Sequence, residues 1–274
     1  MGMAQRLDGR RALVVGASAG IGREIALRFA SLGAEVAFHG RRADRLDACV
    51  AEAGSGVAIV ADVADASACE AMVDEAAASL GGLDLVVYAA SASRLGLLRD
   101  LSADDWARLF AVNVIGPALV VKRALPHLAP NSVMAFLSSE SVGMPFPGLL
   151  PYGSSKAALE EFVRGARVEH PEHRFTCIRV GKTEPTDFAR DFDGELAMAL
   201  FPQWLALGRL AAQSMDTREV GTVIAESLAL ASTNATLDLH DVVLRPPGPL
   251  MTPDMLQALH ETVSDVKQAV HGSS

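Results

Sequence analysis

Short apolar, β-branched runs alternate with longer Ala/Leu-rich segments along almost the whole chain. The runs at residues 12–15, 35–39, 57–61, 83–89, 132–137, 175–180 and 241–245 read as strands. Several are apolar throughout instead of alternating, the pattern of strands covered on both faces. Helical segments begin between them near Ile21, Ala43, Ser67, Ser102, Pro151 and Thr217. Asp, Ser or Thr stands at or near several of these starts, where a side-chain oxygen can cap free N–H groups. Strand–helix alternation predicts an α/β chain: a doubly wound parallel sheet of about seven strands, with right-handed crossovers and helices on both faces. No linker, repeat or low-complexity stretch interrupts it, so residues 1–274 read as a single domain. Two parts depart from the alternation. Residues 183–215 are a long insertion rich in Phe, Leu and Met, and 247–274 form a tail with a helix expected from Pro253 to about Val270.

Half of the 274 residues are hydrophobic and 21% are charged, ample material for a core, which excludes wholesale disorder. The formal charge of −9 has the wrong sign for nucleic acid or an anionic membrane surface. Cys49, Cys69 and Cys177 are an odd number without a Cys-x-x-Cys pair, which argues against a disulfide framework or zinc site and suits a reducing compartment. Cys177, inside a strand, reads as a small core residue. The first eleven residues lack a basic-then-apolar leader pattern, and Arg6 stands where myristoylation would want Ser or Thr. The most membrane-like stretch, 196–212, is shorter than the ~20 residues of a span and is interrupted by Pro202, Gln203 and Arg209. A soluble, cytoplasmic protein is expected. Glu169-His170-Pro171-Glu172-His173 has ligand-type residues, but Pro171 breaks a common helical face, so no metal is expected.

The first strand runs into Val15-Gly16-Ala17-Ser18-Ala19-Gly20-Ile21-Gly22 and then an amphipathic helix. The first glycine permits a tight turn. The later ones let backbone approach a phosphate and let helix pack on strand. The helix N-terminus offers N–H groups and partial positive charge to a pyrophosphate. Alone, such a cluster is also compatible with a plain turn; its place between a first strand and a helix favours the nucleotide reading.

The Gly-x-x-x-Gly-x-Gly spacing resembles the short-chain dehydrogenase/reductase family, and the resemblance runs from Leu7 to about Leu244. It includes Asp62-Val63 after the third strand, Asn113 within Val112-Asn113-Val114, and Tyr152-x-x-x-Lys156 with Ser139 upstream. The resemblance implies a Rossmann-type sheet and a nicotinamide dinucleotide held by Gly16, Ser18, Ala19, Gly20, Ile21 and Gly22. Asp62 and Val63 would meet the adenine. Ala89, Ala90, Gly181 and Thr186 would stand nearer the nicotinamide. Strand two ends in His39-Gly40-Arg41-Arg42. Gly40 occupies the place where NAD-binding members usually carry an acid for the ribose hydroxyls, and Arg41 can pair with a 2′-phosphate. NADP(H) is therefore favoured, with NAD(H) as the alternative. Ala19 stands where many NADP-binding relatives have Arg or Lys, and Ser18 can donate instead.

Tyr152 and Lys156 are four apart on a predicted helix and share a face. A phenol with a pKa near ~10 is a poor base at neutral pH, and a neighbouring ammonium lowers that value. Such a pair can exchange a proton with a carbonyl or alcohol oxygen while hydride moves to or from nicotinamide. The resemblance gives Lys156 a hold on the ribose as well. It gives Ser139 the polarising hydrogen bond to substrate, with Ser138 and Ser141 as neighbours. Pro117 cannot donate to the carbonyl of Asn113 four residues earlier, which frees that carbonyl for a water. The resemblance makes Asn113 the residue that positions a relay water.

Several positions depart from the family pattern. Tyr88-Ala89-Ala90-Ser91 replaces the usual Asn-Asn-Ala-Gly, Val180-Gly181 replaces Pro-Gly, and Arg245-Pro246-Pro247-Gly248 replaces Asp-Gly-Gly. Segments 92–98, 144–150 and 183–215 leave the carboxyl ends of strands, where ligands bind in parallel sheets. They supply Leu95, Leu97, Met144, Phe146, Leu149, Phe188, Phe192, Met198, Phe201 and Trp204, with Lys182, Glu184 and Asp187 at the entrance. The expected substrate is a bulky, mainly apolar carbonyl or alcohol. The alternatives are an NAD-linked alcohol dehydrogenase of the same family and a non-catalytic dinucleotide-binding regulator. Apolar positions such as Trp106, Phe110, Leu159 and Phe162 on segments 102–125 and 151–167, which relatives pair across a two-fold axis, imply a homodimer or homotetramer.

Overall fold

The computed structural model describes residues 7–252, 254 and 255. Its strands are β1 (Arg11–Val15), β2 (Glu35–Gly40), β3 (Val57–Val60), β4 (Leu83–Tyr88), β5 (Leu128–Ser139) and β6 (Arg174–Val180). The short β7 (Thr183–Glu184) and β8 (Met215–Asp216) follow, then β9 (Asp241–Leu244). Seven of them form one sheet in the order β3-β2-β1-β4-β5-β6-β9, with every pair parallel. The order reverses between β1 and β4, and the crevice above that junction is where the carboxyl ends diverge.

The apolar strands are buried from both sides, as their unbroken hydrophobicity requires. On one face, α1 (Gly20–Ser31) and α2 (Ala43–Ala53) bury Ile25, Phe29 and Leu46. On the other, α3 (Ala66–Leu80) buries Met72 and Val73. Asp65 caps α3 by accepting from Ala68 N. Residues 102–125, expected as one kinked helix, divide into α4 (Ala103–Phe110), a π turn (Ala111–Ile115) and α5 (Gly116–Ala124). Ser102 and Asp105 cap α4 reciprocally. Pro117 has no N–H for the carbonyl of Asn113, and the chain widens to an i→i+5 bond from Gly116 N to Ala111 O. The run Ala103–His127, not 196–212, is the helical stretch among the described residues long and apolar enough to cross a bilayer. Its segments pack against α3 and α6 (Leu150–Glu169).

The insertion is ordered. α7 (Gly194–Ala206), capped by Asp193, carries Leu196, Leu200 and Trp204 on one stripe and tolerates Pro202 inside it. α8 (Thr217–Thr233), capped by Asp216, lies along α1 and buries Ile224 and Leu228. The helix expected from Pro253 onward lies, apart from Asp254 and Met255, outside the described residues.

Candidate active site

One cavity of about 930 Å³ opens above the carboxyl ends of β1, β2, β4, β5 and β6. Gly16, Ser18, Ala19, Gly20, Ile21, Gly22, Arg41, Asp62, Val63, Ala89, Ala90, Ser139, Tyr152, Lys156, Gly181 and Thr186 all line it. Asn113 does not: it is fully buried behind the wall.

The glycine turn and the loop after β4 meet at the sheet junction. Ala89 N and Ala90 N both donate to Val15 O, at 2.8 and 2.9 Å, drawing the loop after β4 over the glycine turn. Gly16 has φ +95°, and a Cβ there would stand 2.6 Å from Ala90 N, so only glycine permits this approach. The N-cap of α1 is Ala19, without a side-chain cap, unlike the Asp and Ser caps of α3, α4, α7 and α8. Its free N–H groups face the cavity and fit an anion. At the end of β2 a Cβ on Gly40 would come within 3.0 Å of Ser18 Cβ and Oγ. A side chain at 40 therefore requires Ser18 to give way by a few tenths of an ångström. Ser18 Oγ accepts from Arg42 Nη2 at 3.2 Å, whereas Arg41 stands exposed at the rim. Both arginines line the cavity, and Arg42 is the one whose guanidinium contacts Ser18.

His39, missed at the sequence level, lies on the cavity wall at 2% exposure. Its Nε2 meets Ala61 O at 3.2 Å, and Nδ1 has no partner among the described residues. Burial pushes its pKa down to about 4, against smaller opposing effects of the Ala61 hydrogen bond and Asp62. A lone polar residue in the apolar run of β2 was the available signal. Asp62 accepts from Ala64 N at 3.0 Å and from Arg108 at 2.9 Å. Its pKa falls because these bonds outweigh desolvation.

Tyr152 and Lys156 share one face of α6, with Lys156 Nζ 5.9 Å from the Tyr152 ring centroid. Lys156 is 2% exposed and donates to Leu137 O at 2.8 Å. Burial lowers its pKa to about 8, with Cys177 and Glu160 acting the other way. The Tyr152 pKa is not depressed as expected from the ammonium. Burial raises it, and hydrogen bonding with Ser139 and Ser91 only partly offsets this. The ammonium points to a backbone carbonyl, and Phe188 covers the phenol ring with centroids 5.0 Å apart. Ser139 Oγ also accepts from Ser141 N at 3.1 Å. Ser138 turns away, donating to buried Glu160 at 2.7 Å, and Glu160 is paired with Arg179.

The side chain of Asn113 is fully engaged. Its Oδ1 accepts from Ala92 N at 2.9 Å and Ser91 Oγ at 3.3 Å, and its Nδ2 donates to Ala92 O and Ser155 Oγ, both at 2.9 Å. It fixes the loop after β4, and only its backbone carbonyl is left for the water-holding role. Ser91, where the family pattern has glycine, thereby joins Asn113 to the phenol; sequence alone gave it no role.

Of the ten apolar residues expected in the substrate region, Phe146, Leu149, Phe188, Phe192 and Trp204 line the cavity. Leu95 and Leu97 pack behind them with Leu200, and Met198 faces solvent at 73% exposure. Trp204 Nε1 donates to Pro147 O at 2.8 Å, joining α7 to the loop before α6. The histidine-rich run assembles no ligand set: His173 Nδ1 meets Ser132 Oγ at 2.9 Å, and no metal-type group occurs among the described residues.

A family profile described as short chain dehydrogenase matches residues 10–197. The chain belongs to the short chain dehydrogenase family. Within the family it is 37% identical over 165 residues to a short chain dehydrogenase of Pseudocercospora fijiensis, a match covering 57% of this chain and 53% of that one. The chain thus spans about half the length of that relative. It is 32% identical over 181 residues to versicolorin reductase 1 of Dothistroma septosporum, covering 64% and 69% of the two chains. Among solved structures it is similar to a short chain dehydrogenase from Burkholderia cenocepacia in complex with NADP. There the TM-score is 0.76 and the identity 29%, covering 87% of this chain and 97% of that one.

Proposed function

We propose that this short chain dehydrogenase is an NADP(H)-dependent oxidoreductase interconverting a carbonyl and an alcohol on a bulky, mainly apolar small molecule. The observation that carries this is the joining, in one cavity, of a phosphate-type end with a proton-exchanging end. Ser18, Gly40, Arg42 and the uncapped start of α1 form the first; Tyr152, Ser139, Ser91 and Lys156 form the second. The NADP held by the Burkholderia relative supports the cofactor, and the space Gly40 leaves for Ser18 favours the 2′-phosphorylated form over NAD(H).

The nicotinamide supplies the hydride donor or acceptor. Tyr152 exchanges the proton at the substrate oxygen: it is neutral in the covered site, the correct state to donate to a forming alkoxide. Ser139 hydrogen-bonds that oxygen and polarises it. Lys156, with a pKa near neutrality, holds ribose hydroxyls and returns protons toward Tyr152. Asn113 keeps Ser91 and Ala92 in place behind the phenol. Phe146, Phe188, Phe192 and Trp204 exclude water and accept an apolar substrate body. Versicolorin reductase is by its name a reductase, which supports carbonyl reduction as the class of reaction. Free, buried Cys49, Cys69 and Cys177 suit a reducing, cytoplasmic setting.

The test is NADPH oxidation by the purified chain against hydrophobic ketones, aldehydes and quinones beside acyl-CoA thioesters and sugar phosphates. Turnover of the apolar set is expected. Turnover confined to the charged set overturns the substrate class, and none with any carbonyl favours the non-catalytic alternative.

A further inference from the structure

The carboxylate of Asp187 stands among three guanidinium groups. Its Oδ2 lies 2.9 Å from Arg42 Nη1, 3.3 Å from Arg190 Nη1 and 3.7 Å from Arg45 Nη1. Arg42 uses its other terminal nitrogen on Ser18, so Asp187 is attached to the corner assigned above to the 2′-phosphate. The next residue, Phe188, lies edge-on against Tyr152, and its carbonyl accepts from Ser93 Oγ at 2.6 Å. One short segment therefore touches both ends of the cavity, with an anion at the phosphate end and an aromatic ring over the candidate catalytic phenol.

We propose that Asp187 is a built-in competitor of the 2′-phosphate: it straps the segment after β7 across the cleft through Arg42, and a 2′-phosphorylated nucleotide displaces it and frees Phe188 from Tyr152. The inference rests on reading the Ser18–Arg42 corner as a 2′-phosphate site. The physical basis is a difference in charge and donor capacity. A carboxylate offers one charge, and its pair with Arg42 is partly solvated, with side-chain exposures of 42% and 30%. Such pairs are weak. A phosphate monoester brings about −1.5 to −2 charges and three acceptor oxygens, and so outcompetes the carboxylate for the same guanidinium. A nucleotide without the 2′-phosphate has nothing to exchange. By reciprocity, whatever loosens the segment on binding binds more tightly when the segment is already loose. Asp187 therefore reduces affinity for the 2′-phosphorylated form and couples its arrival to opening of the substrate end.

The experiment uses fragments that carry no nicotinamide. Adenosine 2′,5′-bisphosphate and adenosine 5′-monophosphate are titrated calorimetrically into the 274-residue chain and its Asp187→Asn variant. Chymotryptic cleavage after Phe188 is followed by mass spectrometry with and without each nucleotide. Asp187→Asn is expected to tighten the bisphosphate ~5-fold or more, within the usual range of coupling between sites, and to leave the monophosphate unchanged. The bisphosphate should accelerate cleavage after Phe188 in the unmodified chain, the monophosphate should not, and the variant should be cleaved quickly without nucleotide. Equal affinity of the unmodified chain for both nucleotides would remove the 2′-phosphate corner, and the strap with it. Preference for the bisphosphate, with no tightening in the variant or no change in cleavage, would overturn the strap alone and leave the corner standing.

Discussion

His39 gives a stability prediction whose sign and size follow from its surroundings. Its Nε2 faces the carbonyl of Ala61, which can only accept, so that nitrogen carries the proton and Nδ1 is the acceptor without a partner. Protonating Nδ1 places a charge in a site 2% exposed, and the native pKa falls from 6.5 to about 4. Above pH 6.5 neither the folded nor the unfolded chain is protonated there, and the residue contributes no pH dependence. Between 6.5 and 4 the unfolded chain binds a proton the native chain refuses, so stability falls as pH falls. At pH 4.5 the two values give a loss of roughly 2–3 kcal/mol, a large part of a typical margin of ~5–15 kcal/mol. In His39→Gln the amide can still donate to Ala61 but does not titrate. Urea unfolding of both proteins, followed by Trp106 and Trp204 fluorescence at pH 7.5 and 4.5, isolates the term, since the remaining carboxylates are common to both. The unmodified chain should lose roughly 2–3 kcal/mol more than the variant over this interval. Losses equal to within ~0.5 kcal/mol, the usual scatter of such comparisons, would refute the assignment.

Two further outcomes bear on chemistry and assembly. Tyr152→Phe keeps the ring against Phe188 and removes the exchangeable proton; turnover should fall at least ~100-fold, the lower end of general acid–base effects, while NADPH affinity stays unchanged, and near-normal turnover would exclude the mechanism. Leu159, expected on a pairing face, is instead fully buried in the core, while Ile115 on the π turn and Val168 near the end of α6 are 52% and 82% exposed; light scattering at micromolar concentration should still give a dimer or tetramer, and a monomer would contradict that expectation.

What could be read from the sequence was what local chemistry decides. The glycine turn, the Ser102 cap, and β4, apolar but for Asp84, follow from neighbours along the chain. Tyr152 and Lys156 were legible because four residues is one helical turn. Other features depend on contacts distant in sequence. Arg42 turns inward because Ser18 and Asp187 receive it, 24 and 145 residues away. The carboxamide of Asn113 is engaged by Ser91, Ala92 and Ser155, so its side chain is a brace, not a water ligand. The raised Tyr152 pKa reflects burial, which no i,i+4 spacing reveals. Hydrophobicity marked residues 183–215 as substrate-facing, but the phase of α7 divides them: Trp204 lines the cavity, Leu200 packs beneath it, and Met198 points to solvent.

The π turn at Ala111–Ile115 holds slack in chain length that the helices on either side lack. An i→i+5 turn holds one residue more than the α-helical turn that would replace it. Loss of a single residue inside it would close the wide turn to an α-helical one, set Pro117 within a regular helix, and leave α5 in phase, with Val121 still buried and the ion pairs of Lys122 with Glu70 and Arg123 with Asp74 still in reach. The same loss between Gly116 and Val121 has no wide turn to absorb it. Everything downstream would rotate by about 100° about the helix axis, and Lys122 would stand where Val121 is buried. Where in this run a codon is lost, more than whether one is lost, sets which face of α5 meets the core.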